Sequence, residues 1–522
     1  MGFVSLVFAA VVLIHYYLWR RLVGSTTRPG RTRRVLTWVI VGLGVLAPVT
    51  LIVSRSAWGH FLAWPGFFWL AVMFYLFVFL VVLEVPRAVA LLVLRVLERR
   101  AGRRHAPDRV AARRAARAES DGSVPVSDGF EPGPDGSEPV PAGTVPAFTA
   151  EVAEAREVSG AREASRAREV LGAAGAVVAA GSRTAVPADP VSALPQSEPE
   201  SQRESPSEPQ PPSDSRPEPR TGAESGSASE GVVSPAGRRE RAMSRRLFIT
   251  RTAAVVAGTG ALGTVGFGVR TALGDPVVES VEVALPRLDP RLSGLRFAVV
   301  SDIHLGPLTG LGHAERIVRM VNALQADVVA VVGDLVDGTV AELGPLARPL
   351  RGLESRYGAY FVTGNHEYYT ANGPREWIEE LRELGVRPLV NERVEIAHAG
   401  AVLDLAGVND VAGAASDDGP DFERALGGRD RSRSTVLLAH QPVQAAEAAR
   451  HGVDLQLSGH THGGQMVPFN LVVPLQQPVV SGLGEVDGTR VYVTRGAGFW
   501  GPPVRVGAPP EITLLELRNE KL

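Results

Sequence analysis

The chain has 522 residues, enough for two or three domains, and a formal net charge of -2 that gives no reason to expect nucleic acid as a partner. It has no cysteine, which excludes disulfides and thiolate metal sites and leaves His, carboxylate and amide groups as metal donors. Hydrophobic residues make up 45%, a mean taken over three unlike kinds of sequence.

Residues 1–100 are membrane-like. Apolar runs at 3–19, 35–53 and 61–83 are each close to the ~20 residues that span a bilayer. Trp and Tyr stand at their ends and arginines fill the breaks, as at membrane interfaces. Three transmembrane helices are expected. Residues 88–97 are too short to span and read as an interfacial stretch. Arg20, Arg21, Arg28, Arg31, Arg33 and Arg34 lie between the first two runs, and a second cluster runs from Arg95 to Arg117. Only Arg55 lies between the second and third runs. The positive-inside rule then puts the N-terminus outside and the segment after the third span in the cytoplasm.

Residues 101–237 are dominated by Pro, Ser, Glu, Ala, Gly and Arg. Stretches such as 196–219 cannot bury enough apolar surface to offset the entropy of folding, so a disordered linker is expected. The Ala-Arg-Glu units at 151–171 suit a transient helix. In 238–275, Ser244-Arg245-Arg246-Leu247-Phe248-Ile249 precedes an apolar stretch at 252–269. This reads two ways. It resembles a twin-arginine export signal, departing from the usual pattern at Ile249 and Thr250 and lying deep in the chain. It also reads as a fourth transmembrane helix with flanking positive charge. Either way, everything after 269 is outside, joined by a short tether over about 270–289.

Residues 276–522 have an α/β rhythm. Strands are expected at 295–300, 327–332, 359–363, 402–408, 434–439, 453–457, 490–493 and 511–517, and helices at 314–324 and 377–384. Five motifs follow these strands: Asp302-Ile303-His304, Gly333-Asp334-Leu335-Val336-Asp337, Gly364-Asn365-His366-Glu367, Ala439-His440-Gln441, and Gly459-His460-Thr461-His462-Gly463-Gly464. The crevice beyond the carboxyl ends of strands is where α/β sheets gather ligands, and glycines beside such residues let the chain turn. Any one motif has a bland reading as a cap, a turn or a core histidine. Together they concentrate His, Asp and Asn at strand ends. That donor set suits two divalent ions ~3.5–4 Å apart, which clamp the attacking and leaving oxygens of phosphoryl hydrolysis and acidify a bridging water. Mn, Fe and Zn all suit it.

In order and approximate spacing, these motifs resemble the calcineurin-like metallophosphoesterase superfamily, and the stretches 364–369, 438–442, 455–465 and 496–512 resemble its bacterial membrane-linked branch and the animal transmembrane proteins with a metallophosphoesterase domain. The resemblance covers about 285–517. It implies a four-layer α/β/β/α sandwich, preceded here by transmembrane helices and the linker. It also implies that Asp302, His304 and His462 hold one metal, that Asn365, His440 and His460 hold the other, and that Asp334 bridges them. His366 would stand off the metals as general acid or phosphate contact. Asp337 is a candidate to orient a ligand, or a turn cap. Arg495 and Arg505 suit a structural or solvated role better than contact with an anionic substrate.

The expectation is a multi-pass cell-membrane hydrolase with an extracytoplasmic catalytic domain and two divalent metal ions. It would act on a phosphomonoester, phosphodiester or pyrophosphate; the short tether makes a lipid headgroup or envelope component a suitable substrate class. The alternative is a non-catalytic membrane sensor or scaffold that binds phosphorylated lipid. A transporter is disfavoured, because the spans carry no intramembrane charge pair. Oligomeric state is not legible.

Overall fold

The structure is a computed structural model that describes residues 2–53, 57–104 and 235–521. The linker expected over 101–237, with its helix at 151–171, lies almost wholly outside the described residues. The ends of that range, 101–104 and 235–237, belong to the flanking helices.

The apolar runs form α1 (Gly2–Leu18), α2 (Arg31–Val53) and α3 (Ala63–Arg104), and the segment after the linker forms α4 (Pro235–Leu273). Among the described residues, three helical stretches are long and apolar enough to cross a membrane: Arg31–Val53, His60–Leu97 and Arg245–Leu273. Helix α1, with 17 residues, rises ~26 Å and runs on as a π-helical turn, Trp19–Gly24. Residues 88–97 are not a separate interfacial stretch: α3 continues through Pro86 to Arg104. The missing N–H of Pro86 removes one bond from the ladder, a loss that apolar membrane helices tolerate.

The bundle has two unlike ends. At one, Arg21 Nε lies 2.6 Å from Glu84 Oε1, the Tyr17 hydroxyl donates to the same carboxylate at 3.0 Å, and Arg251 Nε donates to the Thr26 carbonyl at 3.1 Å. At the other, the Arg505 N–H donates to the Gly268 carbonyl at 2.9 Å, and Val504 is fully buried in a cluster that includes Trp69 of α3 and Val265 of α4.

The rest of the chain builds twelve strands: β1 (Val277–Leu285), β2 (Arg296–Val300), β3 (Val328–Val332), β4 (Ala359–Val362), β5 (Val386–Pro388), β6 (Glu392–His398), β7 (Ala401–Gly407), β8 (Thr435–Leu438), β9 (Leu455–Ser458), β10 (Gly482–Val486), β11 (Thr489–Val493) and β12 (Glu511–Asn519). They form two six-stranded sheets, ordered β1-β12-β2-β3-β4-β5 and β10-β11-β9-β8-β7-β6. Every strand read from the sequence is present. The tether expected over 270–289 is taken up by the end of α4 and by β1, which pairs in parallel with β12 from Val277↔Glu511 to Leu285↔Asn519, so only residues 274–276 separate α4 from the domain.

Side-chain alternation explains the layering. Phe297 and Val299 of β2, Val328 and Ala330 of β3, Leu403 and Leu405 of β7, and Leu455 and Leu457 of β9 face one another in a core between the sheets. The alternate residues Ala298, Val300, Val329 and Val331 pack against Ile317 and Val321 of α5 (Leu311–Ala323) and Trp377 and Leu381 of α8 (Arg375–Glu383). Between these two helices lie α6 (Val340–Ala347) and α7 (Asn365–Tyr369). On the far side of the second sheet, Ala406 and Leu437 pack on Phe422 of α9 (Phe422–Leu426) and Ala448 of α10 (Ala445–Arg450). Strands covered on both faces read as continuous apolar runs. The result is helix, sheet, sheet, helix, as expected.

Candidate metal centre

Five parallel strands end at the site. β2 delivers Asp302 and His304, β3 Asp334 and Asp337, β4 Asn365 and His366, β8 His440, and β9 His460 and His462. The loops are stitched together: the Asp302 N–H donates to the Gly333 carbonyl at 3.1 Å, that of His304 to Asp334 at 3.2 Å, and that of Gly459 to His440 at 2.9 Å.

Asp302, His304, Asp334, His460 and His462 all have positive φ, between 48° and 70°. Left-handed backbone costs a non-glycine residue ~1–2 kcal/mol. Its concentration here marks strain held by the surroundings, as at functional sites. The glycines beside these residues serve close approach more than turning. A Cβ on Gly364 would lie 2.2 Å from Asp334 Oδ1, and one on Gly459 2.3 Å from Asp302 Oδ2.

Three groups of side chains could each hold a metal ion: Asp302, His304 and His462; Asp334, His440 and His460; and His304, Asp334 and His366. His462 Nε2 lies 3.2 Å from Asp302 Oδ1 and 3.1 Å from His304 Nε2. His440 Nε2 lies 3.2 Å from Asp334 Oδ2, and that oxygen is 4.0 Å from His304 Nε2. Asp334 therefore stands between the first two groups. His366, expected off the metals, belongs to the third group, with Nε2 4.0 Å from Asp334 Oδ2.

The donors suit divalent cations. Asn365 Oδ1 is buried with no hydrogen-bond partner, an arrangement proteins avoid unless something else satisfies the atom. His440 Nδ1 lies 2.8 Å from the Val332 carbonyl and His304 Nδ1 2.9 Å from Asp337 Oδ1. Each ring thus donates from Nδ1 and turns Nε2 into the site, the usual support for a metal-binding histidine.

Electrostatics agree. Burial alone would raise the Asp302 carboxyl, but the neighbouring His462 outweighs it and holds the group below the usual carboxylate range. Burial likewise opposes ionisation of Asp334, and His440 and His366 overcome it. Burial disfavours charge on His440, yet Asp334 carries its pKa well above the ordinary value. Burial pushes His460 and His462 down to about 4, leaving them neutral as ligands must be. Both carboxylates are thus ionised in the buried site, with His440 charged beside Asp334.

Six of the seven expected ligands belong to the groups that could hold a metal, and Asn365 adjoins them through His366, whose N–H donates to Asp334 Oδ1 at 2.8 Å. Asp337 is more than a turn cap: its Oδ1 takes both His304 and His366, at 2.9 and 2.6 Å. Arg495 pairs with Glu279 and Glu511, at 2.7 Å each, bracing β1 against β12. Arg505 is fully buried; it donates to the carbonyls of His462 at 2.8 Å and Arg495 at 2.9 Å, and its Nη2 lies 3.1 Å from His462 Nδ1. Both are structural, as expected.

Two residues escaped the sequence reading. Glu367 is fully buried and accepts N–H bonds from Gly364, Leu335 and Asp334 at 2.6, 2.8 and 3.1 Å, tying the β3 and β4 ends together. Burial and the Asp334 charge push its carboxyl up to about 7. Asp410, just past β7, is buried and accepts from Gln441 Nε2 at 3.0 Å. Burial raises its carboxyl to about 6. Its place after a strand read at 402–408 was the available signal.

The family model for calcineurin-like phosphoesterases matches residues 295–464, which contain all seven expected ligands. A transmembrane protein with metallophosphoesterase domain from Bos taurus is 42% identical over 52% of this chain and 64% of its own length. One of the same description from Danio rerio is 40% identical over 48% of this chain and 60% of its own length. A metallophosphoesterase of Helicobacter pylori is 39% identical over 49% of this chain and 68% of its own length. The chain belongs to the calcineurin-like phosphoesterases. The matched part of the chain spans less than two thirds of the two vertebrate relatives' own length.

Proposed function

We propose that the chain is a membrane-anchored two-metal phosphoesterase that hydrolyses a phosphomonoester, phosphodiester or pyrophosphate bond, with a lipid headgroup or envelope component as its substrate class. The unpartnered, buried Asn365 Oδ1 beside two His/Asp groups carries the reading. Asp302, His304 and His462 would hold one divalent cation, and Asn365, His440 and His460 the other, with Asp334 shared. Such a pair, of Mn, Fe or Zn, supplies Lewis acidity to phosphoryl oxygens and makes water nucleophilic near neutral pH. Asp337 holds the rings of both His304 and His366; His304 would then face one ion, and His366 would give a proton to the leaving group. The catalytic domain lies outside the cytoplasm. Two things support that orientation: the arginine pattern, and the meeting of Arg251 with the α1–α2 loop at the bundle end away from the domain.

The test is a screen of the purified full chain, stripped of metal and reconstituted with Mn, Fe or Zn, on mono-, di- and pyrophosphate substrates. Metal-dependent turnover is expected. Metal uptake without turnover of any of them would favour the non-catalytic sensor or scaffold.

A further inference from the structure

The segment after the last ligand-bearing loop is unusually apolar for a surface. Leu471 is 75% exposed and Leu475 81%, with Val467, Phe469 and Val472 also exposed and Trp500 beside the same loop 53% exposed. Single exposed apolar residues are ordinary, but a contiguous patch of them marks an interaction surface. Three short 3₁₀ turns, from His462–Gly464 to Val473–Leu475, hold it in shape.

The patch is continuous with the membrane helices. Met466 and Val506 pack against the same cluster as Val504, which includes Val265 of α4 and Trp69 of α3. A Cβ on Gly268 would lie 2.5 Å from Val504 Cγ1, and one on Gly501 3.6 Å from Phe67 Cε1. The depth follows from α4. Arg251 and Arg270 are 19 residues apart, a rise of ~28 Å, close to the ~30 Å hydrocarbon thickness. Gly268 therefore sits just inside the hydrocarbon boundary, and residues 504–506, which pack on it, lie at that level. Residues 467–475 start beside them, where the Val467 N–H donates to the Val506 carbonyl at 3.0 Å, and expose Val467, Phe469, Leu471, Val472 and Leu475.

The patch is also continuous with the metal centre. Met466 is four residues beyond His462. A Cβ on Gly464 would lie 2.4 Å from Asn470 Cα, so the patch backbone packs directly on the ligand loop. Gln465 clasps Trp500, donating to its carbonyl and accepting its N–H, both at 2.9 Å.

We propose that residues 467–475 and Trp500 insert into the leaflet beneath the catalytic domain, and that the metal centre takes its substrate, the phosphate ester of a lipid headgroup, from that leaflet. The second half rests on the phosphoesterase reading; the first does not. The occupant is lipid because the patch adjoins helices at hydrocarbon depth and faces away from the domain's own core.

The chain has no native cysteine, so nitroxide labels can be placed singly at Leu471→Cys, Leu475→Cys and, as an exposed control, Ala415→Cys. In nanodiscs with one chain per disc, the first two labels should collide more with oxygen than with a water-soluble nickel chelate, and the control the reverse. Control-like values at both patch sites, or immersion only with two chains per disc, would overturn insertion; the latter would assign the patch to a second copy.

Turnover is read on nitrophenyl phosphate and on phosphatidylglycerol and phosphatidic acid in the disc. Leu471→Ser with Leu475→Ser should lower lipid turnover by at least about tenfold and leave nitrophenyl phosphate unchanged. Immersed labels with nitrophenyl turnover but no lipid turnover would overturn the substrate assignment alone. Immersed labels with metal bound and no turnover of either would overturn the phosphoesterase reading instead.

Discussion

Nδ1 of His366 lies 2.6 Å from Oδ1 of Asp337, the oxygen that also receives Nδ1 of His304 at 2.9 Å. One carboxylate thus aims two imidazoles into the cluster. A neutral alcohol leaving group needs a proton as its bond to phosphorus breaks, and a positioned acid contributes ~10²–10⁴-fold; nitrophenolate barely needs one. His366→Ala is expected to keep both metals, lose most activity on alkyl phosphodiesters and retain far more on nitrophenyl esters. Asp337→Ala is expected to cost ~10–100-fold on both, since it also frees a ligand. An unchanged ratio of the two activities in His366→Ala, with the alkaline limb of the pH–rate profile intact, would refute the acid role.

Glu367 accepts three backbone N–H bonds from two loops. Replacing it by Ala strands those donors in a dry site. The expected loss is ~1–3 kcal/mol for the buried groups left unpaired, seen as a lower melting temperature, with weaker metal retention as the β3 and β4 ends drift apart. Glu367→Gln should fall between, because its amide turns one donor toward other donors. A wild-type melting temperature for Glu367→Ala would show that these bonds contribute nothing.

These two predictions bear on how much was legible from sequence. β2, β3 and β8 stood out because strands covered on both faces are nearly continuously apolar. The edges did not. β1 carries Ser280 and Glu282 at exposed positions and Glu279 at a half-buried one, and passed for a tether, β5 has three residues and ends in Pro388, and β10 contains Gly482 and Gly484. Site residues were visible because His, Asp and Asn follow strands in short motifs. Glu367 was quoted within a motif, but its role depends on which N–H groups the fold brings to it. The left-handed backbone of Asp302, His304, Asp334, His460 and His462 has no sequence signature, because non-glycine residues take it only when tertiary contacts impose it.

His313, at the start of α5, gives a pH signature. Burial, with the nearby Arg316, pushes its pKa from 6.5 down to about 4. Between those values the unfolded chain binds a proton that the folded chain refuses, so stability falls as pH drops from 6.5 toward 4. The full shift corresponds to on the order of 3 kcal/mol. His313→Leu should flatten the melting temperature between pH 6.5 and 4 relative to wild type. Parallel curves would contradict the assignment.

Topology can be read with a membrane-impermeant thiol reagent on intact cells. A cysteine at Arg429, in the catalytic domain, should label, and one at Ser159, in the linker, should not. The reverse pattern would invert the orientation. Arg245→Lys with Arg246→Lys should block labelling at 429 if a twin-arginine route carries the domain across; unchanged labelling favours α4 as an ordinary span.

The central claim is a two-metal hydrolytic centre organised around Asp334, whose carboxylate stands between His304 and His440. The direct measurement is divalent-metal content with turnover of nitrophenyl phosphate, for the wild-type chain and for Asp334→Asn. The account predicts about two ions per wild-type chain with metal-dependent hydrolysis, and loss of most of the second ion together with activity in Asp334→Asn. A wild-type chain that binds no ion across Mn, Fe, Co and Zn, or an Asp334→Asn variant with full metal content and full activity, would contradict it.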